Sequence, residues 1–453
     1  MNNISSAQKW LLAATSVSYI IVILDTSIVN VALSALATAF HPSISGLQWV
    51  ISSYTVTFAC LLLSGGALSD KLGAKNVYLT GLLLFALASL GCGISSILPF
   101  MIFSRILQGI GAALLVPASL ALINAEFPKP QQRAKAIGIW SGCGGIAMAA
   151  GPLLGGVLIH LTGWRGIFLV NVPIAVFGAV LAMRIPAIKI TTGKRTMDFA
   201  GQLMAIIAIG TSVAVLIEGL HRGWRDPWIY GGVLVAAMAW GFFILTERAV
   251  SQPMLPMKLF SIAIFSASVI VSLISGLVFY GLFFMLSLYF GTVRGWSSLD
   301  TGLAFLPLTL LVTLGSFSAG KLNSLLTPLW LIAGCCLLYA VGFTGLTILG
   351  GNTPYWQIAL CFPPLGLAAG IITPVVTAAA MNSTGREQAG LASGVLNASR
   401  QTGSALGVAI FGGLLGSVKP QAENIYIAVY LGIAFSLLGC LLWIMKLRKV
   451  QTV

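Results

Sequence analysis

The sequence predicts an all-α membrane protein with fourteen spanning helices. Composition, run length and charge placement each point there. The 453 residues are 58% hydrophobic and only 8% charged, with a mean hydropathy of +0.99. Apolar runs of the length that crosses a bilayer, about 20 residues for about 30 Å of hydrocarbon, recur along the whole chain. The basic residues, finally, gather in alternate connections between those runs. With 24 Lys and Arg against ten carboxylates, net +14, too few polar side chains remain to cover a water-facing surface, which excludes a soluble globular protein. Nucleic-acid binding is not the expected source of the basicity.

The first run, 10–36, follows a short start from Met1 to Lys9 and contains Asp25 and Asn30, which a cleaved leader is not expected to carry; it reads as a retained first span. Spans two to six cover 47–69, 77–97, 99–124, 135–160 and 165–184. The polar stretch from Arg184 to Asp198 is the longest connection and reads as a cytoplasmic linker, 185–198, closing an N-terminal six-helix bundle at 10–184. Spans seven and eight, 199–219 and 228–247, form an inserted pair within 199–247. Spans nine to fourteen, 261–290, 300–320, 326–349, 355–380, 389–417 and 424–446, form a C-terminal six-helix bundle at 261–446. No connection exceeds about 15 residues, so function is expected between the helices rather than in a separate soluble domain.

An even number of spans puts both termini on one side. Seventeen basic residues fall in the terminal and connecting segments of that side, among them Lys71, Lys75, Arg133, Lys194 and Lys449, and five on the other; Arg105 and Arg400 remain within spans. The asymmetry predicts cytoplasmic termini. A weak internal echo, Gly66-Ala-Leu-Ser-Asp70 after span two and Gly320-Lys-Leu-Asn-Ser324 after span ten, suggests a repeat. The seven cysteines (Cys60, Cys92, Cys143, Cys335, Cys336, Cys361 and Cys440) lie mostly in apolar runs without a CxxC pair of metal-ligand spacing. They read as reduced packing residues, and neither metal nor cofactor is expected.

Asp25 is the sharpest chemical feature, because a carboxylate inside a membrane helix costs about 2.5–3.5 kcal/mol on insertion scales and normally faces a cavity or a partner. At about 1.5 Å per residue it lies about 22 Å into span one, and Arg105 lies roughly 9 Å from the opposite surface in antiparallel span four. Within about 30 Å of hydrocarbon those depths nearly coincide. An Asp25–Arg105 pair would reduce the desolvation cost of each charge while leaving the carboxylate able to take a proton; the plainer alternative is a static ion pair that fixes helix register. Asn30 and Gln108 lie near the same levels as candidate cavity lining, or as ordinary interhelical hydrogen-bonding groups.

Glu218, near the outer end of span seven, reads as an interfacial carboxylate, and Asp198 as a helix N-cap. Arg400 is mid-membrane if its helix starts at Gln388 and near the surface if it starts ten residues later. The aromatic residues Trp49, Tyr54, Phe58, Tyr280, Phe284 and Tyr289 are candidates for holding a cation through their faces, against the alternative of plain packing; Tyr54 and Phe58 join the candidate cavity lining. Span five carries Gly142, Gly144, Gly145, Gly151, Pro152, Gly155 and Gly156, a density that predicts a bent, closely packed helix at a moving interface.

Several motifs together resemble the major facilitator superfamily, in particular its fourteen-helix drug:proton antiporter branch, DHA2, which contains multidrug and quaternary-ammonium exporters. Leu24-Asp-Thr-Ser-Ile-Val-Asn-Val-Ala-Leu33 is similar to that branch's helix-one signature. Gly66-Ala-Leu-Ser-Asp70-Lys71-Leu-Gly73-Ala-Lys75 resembles the superfamily's loop 2–3 motif, with Ala74 and Asn76 where basic residues are common. Arg105-Ile-Leu-Gln108-Gly109-Ile-Gly111-Ala-Ala113 resembles the helix-four motif, and Gly151-Pro152-Leu-Leu-Gly155-Gly156 the helix-five antiporter motif. Trp164-Arg165-Gly-Ile-Phe168-Leu-Val-Asn171-Val-Pro173 and Glu387-Gln-Ala-Gly390-Leu-Ala-Ser393-Gly394 are also similar to stretches of the branch.

The resemblance implies a major facilitator fold of two six-helix bundles plus two inserted helices. It implies proton coupling at Asp25 and Arg105, a conformational latch at Asp70, Lys71, Gly73 and Lys75, and an antiporter motif at Gly151, Pro152, Gly155 and Gly156. The short connection between spans thirteen and fourteen leaves no extended outer hairpin of the kind some quaternary-ammonium exporters possess. The expected function is proton-coupled export of a small amphipathic, in some cases cationic, compound across a bacterial cytoplasmic membrane by a monomer, with protons and the substrate as partners. No GxxxxGK[ST] sequence points to ATP. Export of an endogenous metabolite by the same machinery is the runner-up. A membrane-embedded enzyme lacks a catalytic constellation, since His41 and His221 fall in loops and His160 at a helix end; a sensor lacks an output domain.

Overall fold

The computed structural model describes residues 5–185, 198–250, 253–350, 352–384, 388–416 and 422–451. Their helices, in chain order, are α1 (Ser6–Val31), α2 (Leu33–Phe40), α3 (Ile44–Leu72), α4 (Ala74–Ile94), α5 (Leu98–Glu126), α6 (Pro130–Thr162), α7 (Gly166–Leu169) and α8 (Asn171–Met183). There follow α9 (Phe199–Arg222), α10 (Pro227–Ala249), α11 (Ala263–Leu288), α12 (Ser298–Leu325), α13 (Pro328–Gly345), α14 (Tyr355–Ala359), α15 (Phe362–Ser383), α16 (Ala389–Leu415) and α17 (Ala422–Gln451). No strand occurs among the described residues.

Thirteen helical stretches among these residues are long and apolar enough to cross a membrane, α7 with α8 and α14 with α15 each counting as one. The remaining long helix, α16, spans 27 residues but carries Asn397, Arg400, Gln401 and Thr402 along its middle. It is packed against α11, α3 and α9 inside the bundle, so its polar middle faces other helices. Span one as read from the sequence ran to residue 36; the helix instead breaks at Ala32, whose amide bonds back to Val29 and Asn30, and resumes as α2.

Helices α1, α3, α4, α5, α6 and α8 share one set of contacts, and α11, α12, α13, α15, α16 and α17 another. The two sets meet where α6 lies on α12, α3 on α16, and α1 on α11. Large apolar side chains such as Leu83, Phe103, Phe242 and Phe317 point outward, as a bilayer permits, since lipid tails are as apolar as leucine. The pair α9–α10 attaches through α9, which touches α3 and α16: Gln202 Nε2 donates to the Cys60 carbonyl at 2.8 Å, and Trp49 Nε1 donates to Glu218 Oε1 at 3.1 Å. Asp198 caps α9 by accepting from the Gly201 amide at 2.7 Å, as its place in the sequence predicts. The expected linker, 185–198, lies outside the described residues except for Ile185 and Asp198.

Small residues set the depth at which helices sit against each other around the polar centre. A Cβ on Gly109 of α5 would stand 2.7 Å from the Tyr54 carbonyl of α3, and one on Gly111 would stand 2.8 Å from the Phe85 amide of α4. Real side chains essentially never approach so closely. Glycine at these two positions therefore draws α5 into the groove between α3 and α4, carrying Arg105 and Gln108 with it.

Candidate functional site

Asp25 and Arg105 meet. Arg105 Nη1 stands 2.5 Å from Asp25 Oδ2, with both side chains within 1% of complete burial. The same nitrogen donates to Gln108 Oε1 at 2.7 Å, and Arg105 Nε donates to the Val50 carbonyl at 3.0 Å. Gln108 Nε2 donates to Asp25 Oδ1 at 2.8 Å and to Ser89 Oγ at 2.7 Å. Asn171 Nδ2 repeats that pattern, donating to Asp25 Oδ1 and Ser89 Oγ, each at 3.1 Å.

The carboxylate on α1 is thus held by donors from α5 and α8, and Ser89 of α4 ties the two amides together. The guanidinium lies 4.3 Å from the Tyr54 ring centroid and 5.9 Å from that of Phe168. Such aromatic faces offset part of the cost of taking a cation out of water. Only two ion pairs occur among the described residues, this one and the exposed Glu218–Arg222 pair.

The antiporter-motif residues fall on two faces of α6. Gly151 and Gly155 lie against Ser27 and Ile28 of α1, two and three residues beyond Asp25, and a Cβ on Gly155 would stand 2.7 Å from Ile28 Cγ1. Pro152 and Gly156 lie against α12: the Pro152 carbonyl faces Gly302, and a Cβ on Gly156 would stand 2.8 Å from the Ser298 carbonyl. Spacing of four residues places each pair on one helical face. Thr309 Oγ1 adds a bond to the Ala149 carbonyl at 3.2 Å, and Thr313 Oγ1 one to the Gly145 carbonyl at 3.3 Å. One helix therefore touches both the acid-bearing helix and the opposite half.

The expected latch residues do not come together. Asp70 and Lys71 are exposed at the end of α3, and Asp70 forms no ion pair among the described residues. Lys75 Nζ donates to the Ile185 carbonyl, and Gly73 turns the chain between α3 and α4 at φ +88°, in the region that favours glycine.

A cavity of about 140 Å³ lies between the two halves, lined by residues of α1, α6, α11, α12, α13, α15 and α16, Tyr19, Tyr280 and Arg400 among them. The four residues expected to line a cavity are not on it. Gln108 is turned into the Asp25 cluster and Tyr54 lies under Arg105. Phe58 is packed in the core beside Tyr54. Asn30 folds back on its own helix, its Nδ2 donating to the Thr26 carbonyl at 3.0 Å, while its carbonyl accepts from Ser287 of the other half. Of the other aromatic candidates, Trp49 is engaged by Glu218, and Phe284 and Tyr289 are fully buried.

Ser89 carries no signal in the sequence, and Asn171 carries only one, that it is an amide in the apolar stretch 164–173. Arg400, left open by the sequence, is eleven residues past the start of α16 and lines the central cavity.

Residues 15–408 match the family model described as Major Facilitator Superfamily. Over 450 residues the chain is 34% identical to a methylenomycin A resistance protein of Bacillus subtilis (strain 168), covering 97% of this chain and 95% of that protein. It is 33% identical over 423 residues to the multidrug resistance protein Stp of Mycobacterium tuberculosis, covering 91% of this chain and 78% of that one. Among solved structures, a bacterial homolog of the human lysosomal transporter Spinster, inward-facing and unoccupied, superimposes with a TM-score of 0.68 at 15% identity over 98% of both chains. That likeness bears on fold alone.

Proposed function

Because this chain belongs to the Major Facilitator Superfamily, we propose that it exports small amphipathic, toxic compounds in exchange for protons. The chain is a multi-pass membrane transporter of small molecules, not an enzyme. Its relatives named for resistance to methylenomycin A and to multiple drugs support the direction of transport and the class of cargo. The seventeen-to-five asymmetry of basic residues supports cytoplasmic termini in a bacterial inner membrane. We take the working unit to be the monomer, since each chain carries both halves and the cavity between them.

The observation that carries the proton reading is Asp25. A carboxylate within the hydrocarbon region, tied to a guanidinium and two amides, is the kind of group that proton relays use. In this reading Asp25 takes a proton from the outer side, which weakens its hold on Arg105. The halves then rock about the α6–α12 seam, and release of the proton to the cytoplasm restores the pair. Gly151 and Gly155 transmit the state of α1 to α6, and Pro152 and Gly156 pass it to α12. One elementary charge crossing 100 mV supplies about 2.3 kcal/mol, enough to drive a modest gradient of cargo. Asp70, Lys71, Gly73 and Lys75 would act as a latch in a conformation in which the ends of the two halves on the N-terminal side close.

The test is accumulation of a fluorescent drug panel in cells that express the protein, with and without a proton uncoupler. Lower accumulation that the uncoupler abolishes supports the reading. Unchanged accumulation of every compound contradicts it.

A further inference from the structure

We propose that the central cavity takes its cargo as an organic anion, a carboxylate or its equivalent, held by Arg400, and that permanent cations are poor cargo. The proposal rests on the export reading above and specifies the chemistry of its substrate. Arg400 is the sole charged residue among those lining the cavity, and no carboxylate joins it there. Its Nη2 donates to the neutral Asn397 Oδ1 at 2.6 Å, and it belongs to neither ion pair found among the described residues.

A guanidinium in a bilayer interior normally finds an anion or a backbone carbonyl. Arg105 has both, in Asp25 and Val50, whereas the partners that Arg400 reaches, the Asn397 amide oxygen and the Tyr19 phenol, are both neutral. The remaining demand for negative charge is left to whatever enters the cavity. A planar fork of N–H donors matches a carboxylate in two parallel bonds, which gives Arg selectivity as well as attraction.

The surroundings agree. Tyr19 and Tyr280 line the cavity together with Arg400, and their phenols can donate to an anion's oxygen. A cation would meet an uncompensated positive charge. It would also find one face of the Tyr19 ring already covered by Trp140, stacked at 3.7 Å. Ile23, Met148 and Phe279 supply an apolar wall for the body of the molecule. The volume, about 140 Å³, is close to the ~150 Å³ cavity that accommodates benzene, so a small ring bearing one acid group fits. The seat is firm: a Cβ on Gly276 of α11 would overlap the Arg400 carbonyl, so glycine there lets α11 clasp α16 at this turn.

The test measures equilibrium binding of benzoate, methyl benzoate and benzyltrimethylammonium to the purified full-length protein, by ligand-dependent shift of the unfolding midpoint. The wild type should bind benzoate better than benzyltrimethylammonium. Arg400→Gln should weaken benzoate by about tenfold or more, the scale of one charge-assisted contact, and leave methyl benzoate within about threefold. Arg400→Lys, which keeps the charge, should retain part of the benzoate affinity and shows that the Gln variant's loss is not misfolding. Equal or tighter binding of the cation overturns the proposal, as does absence of benzoate binding at millimolar concentration or an unchanged benzoate affinity in Arg400→Gln. Binding at equilibrium needs no gradient, so this result and the uncoupler experiment fail independently.

Discussion

Gly151 of α6 lies so close to Ser27 of α1 that a Cβ on the glycine would overlap the serine hydroxyl. The contact sits two residues beyond Asp25, on the face of α6 adjacent to the one that meets α12, so α6 joins α1 to the seam between the halves. Gly151→Ala should therefore push α6 away from α1 and cost about 1–3 kcal/mol, the usual penalty for overfilling a packed interface. Ser27→Gly removes both serine atoms that the new methyl would meet. The double variant should recover most of the lost unfolding midpoint and transport rate, and the double-mutant cycle measures that coupling. Additive losses would mean that the contact is incidental.

Arg105 bonds in two directions, from Nη1 to Asp25 and Gln108 and from Nε to the Val50 carbonyl. Lysine offers a single ammonium and cannot keep both sets in place. Arg105→Lys should fold and reach the membrane but lose about tenfold or more of its uphill transport. Arg105→Ala leaves the buried carboxylate without its cation and should cost about 3–5 kcal/mol, read as a lower unfolding midpoint and poor yield.

Asn171 donates from one amide nitrogen to both Asp25 and Ser89. Asn171→Leu keeps the branched heavy-atom outline, though its methyl groups are bulkier, and it removes both bonds and leaves Asp25 Oδ1 with Gln108 alone. A loss of about 1–3 kcal/mol is expected, together with impaired proton-driven transport. Asn171→Ala, tested beside it, separates the lost hydrogen bonds from any misfit of the leucine side chain; transport at the wild-type rate in both would remove Asn171 from the account.

Glu218 is a contrasting carboxylate. It is part-exposed, pairs with Arg222 at 3.2 Å on the next turn, and accepts from Trp49. Glu218→Gln should leave proton-coupled transport near the wild-type rate and shift stability by less than about 1 kcal/mol, as exposed pairs usually do. A loss comparable to that of Arg105→Lys would show a second coupling site in the inserted pair.

The parts of this molecule that were legible in sequence are those set by helix geometry. Run length and alternating basic loops give the spans, and rise per residue brings Asp25 and Arg105 to one depth, where the structure joins them. What stayed illegible depends on rotation about the helix axis and on neighbours distant in sequence. Asn30 lies near the depth of Asp25 but bonds to its own helix. Asn171 and Ser89 come into reach only because α8 and α4 lie against α1 and α5. The polar middle of α16 weakens it as an apolar run for the same reason that it matters, since Arg400 faces a cavity rather than lipid. Asp70 and Lys75, adjacent in a motif, point to different surroundings, because Gly73 turns the chain between them.

Proton coupling at Asp25 is measured with Asp25→Asn protein reconstituted into liposomes under an imposed pH gradient, beside the wild type. Asparagine keeps the shape of the side chain and cannot exchange a proton in this range. In the variant, concentrative transport should disappear while the protein stays folded and still equilibrates cargo down its own gradient. Undiminished accumulation against a gradient by the asparagine variant would contradict that coupling.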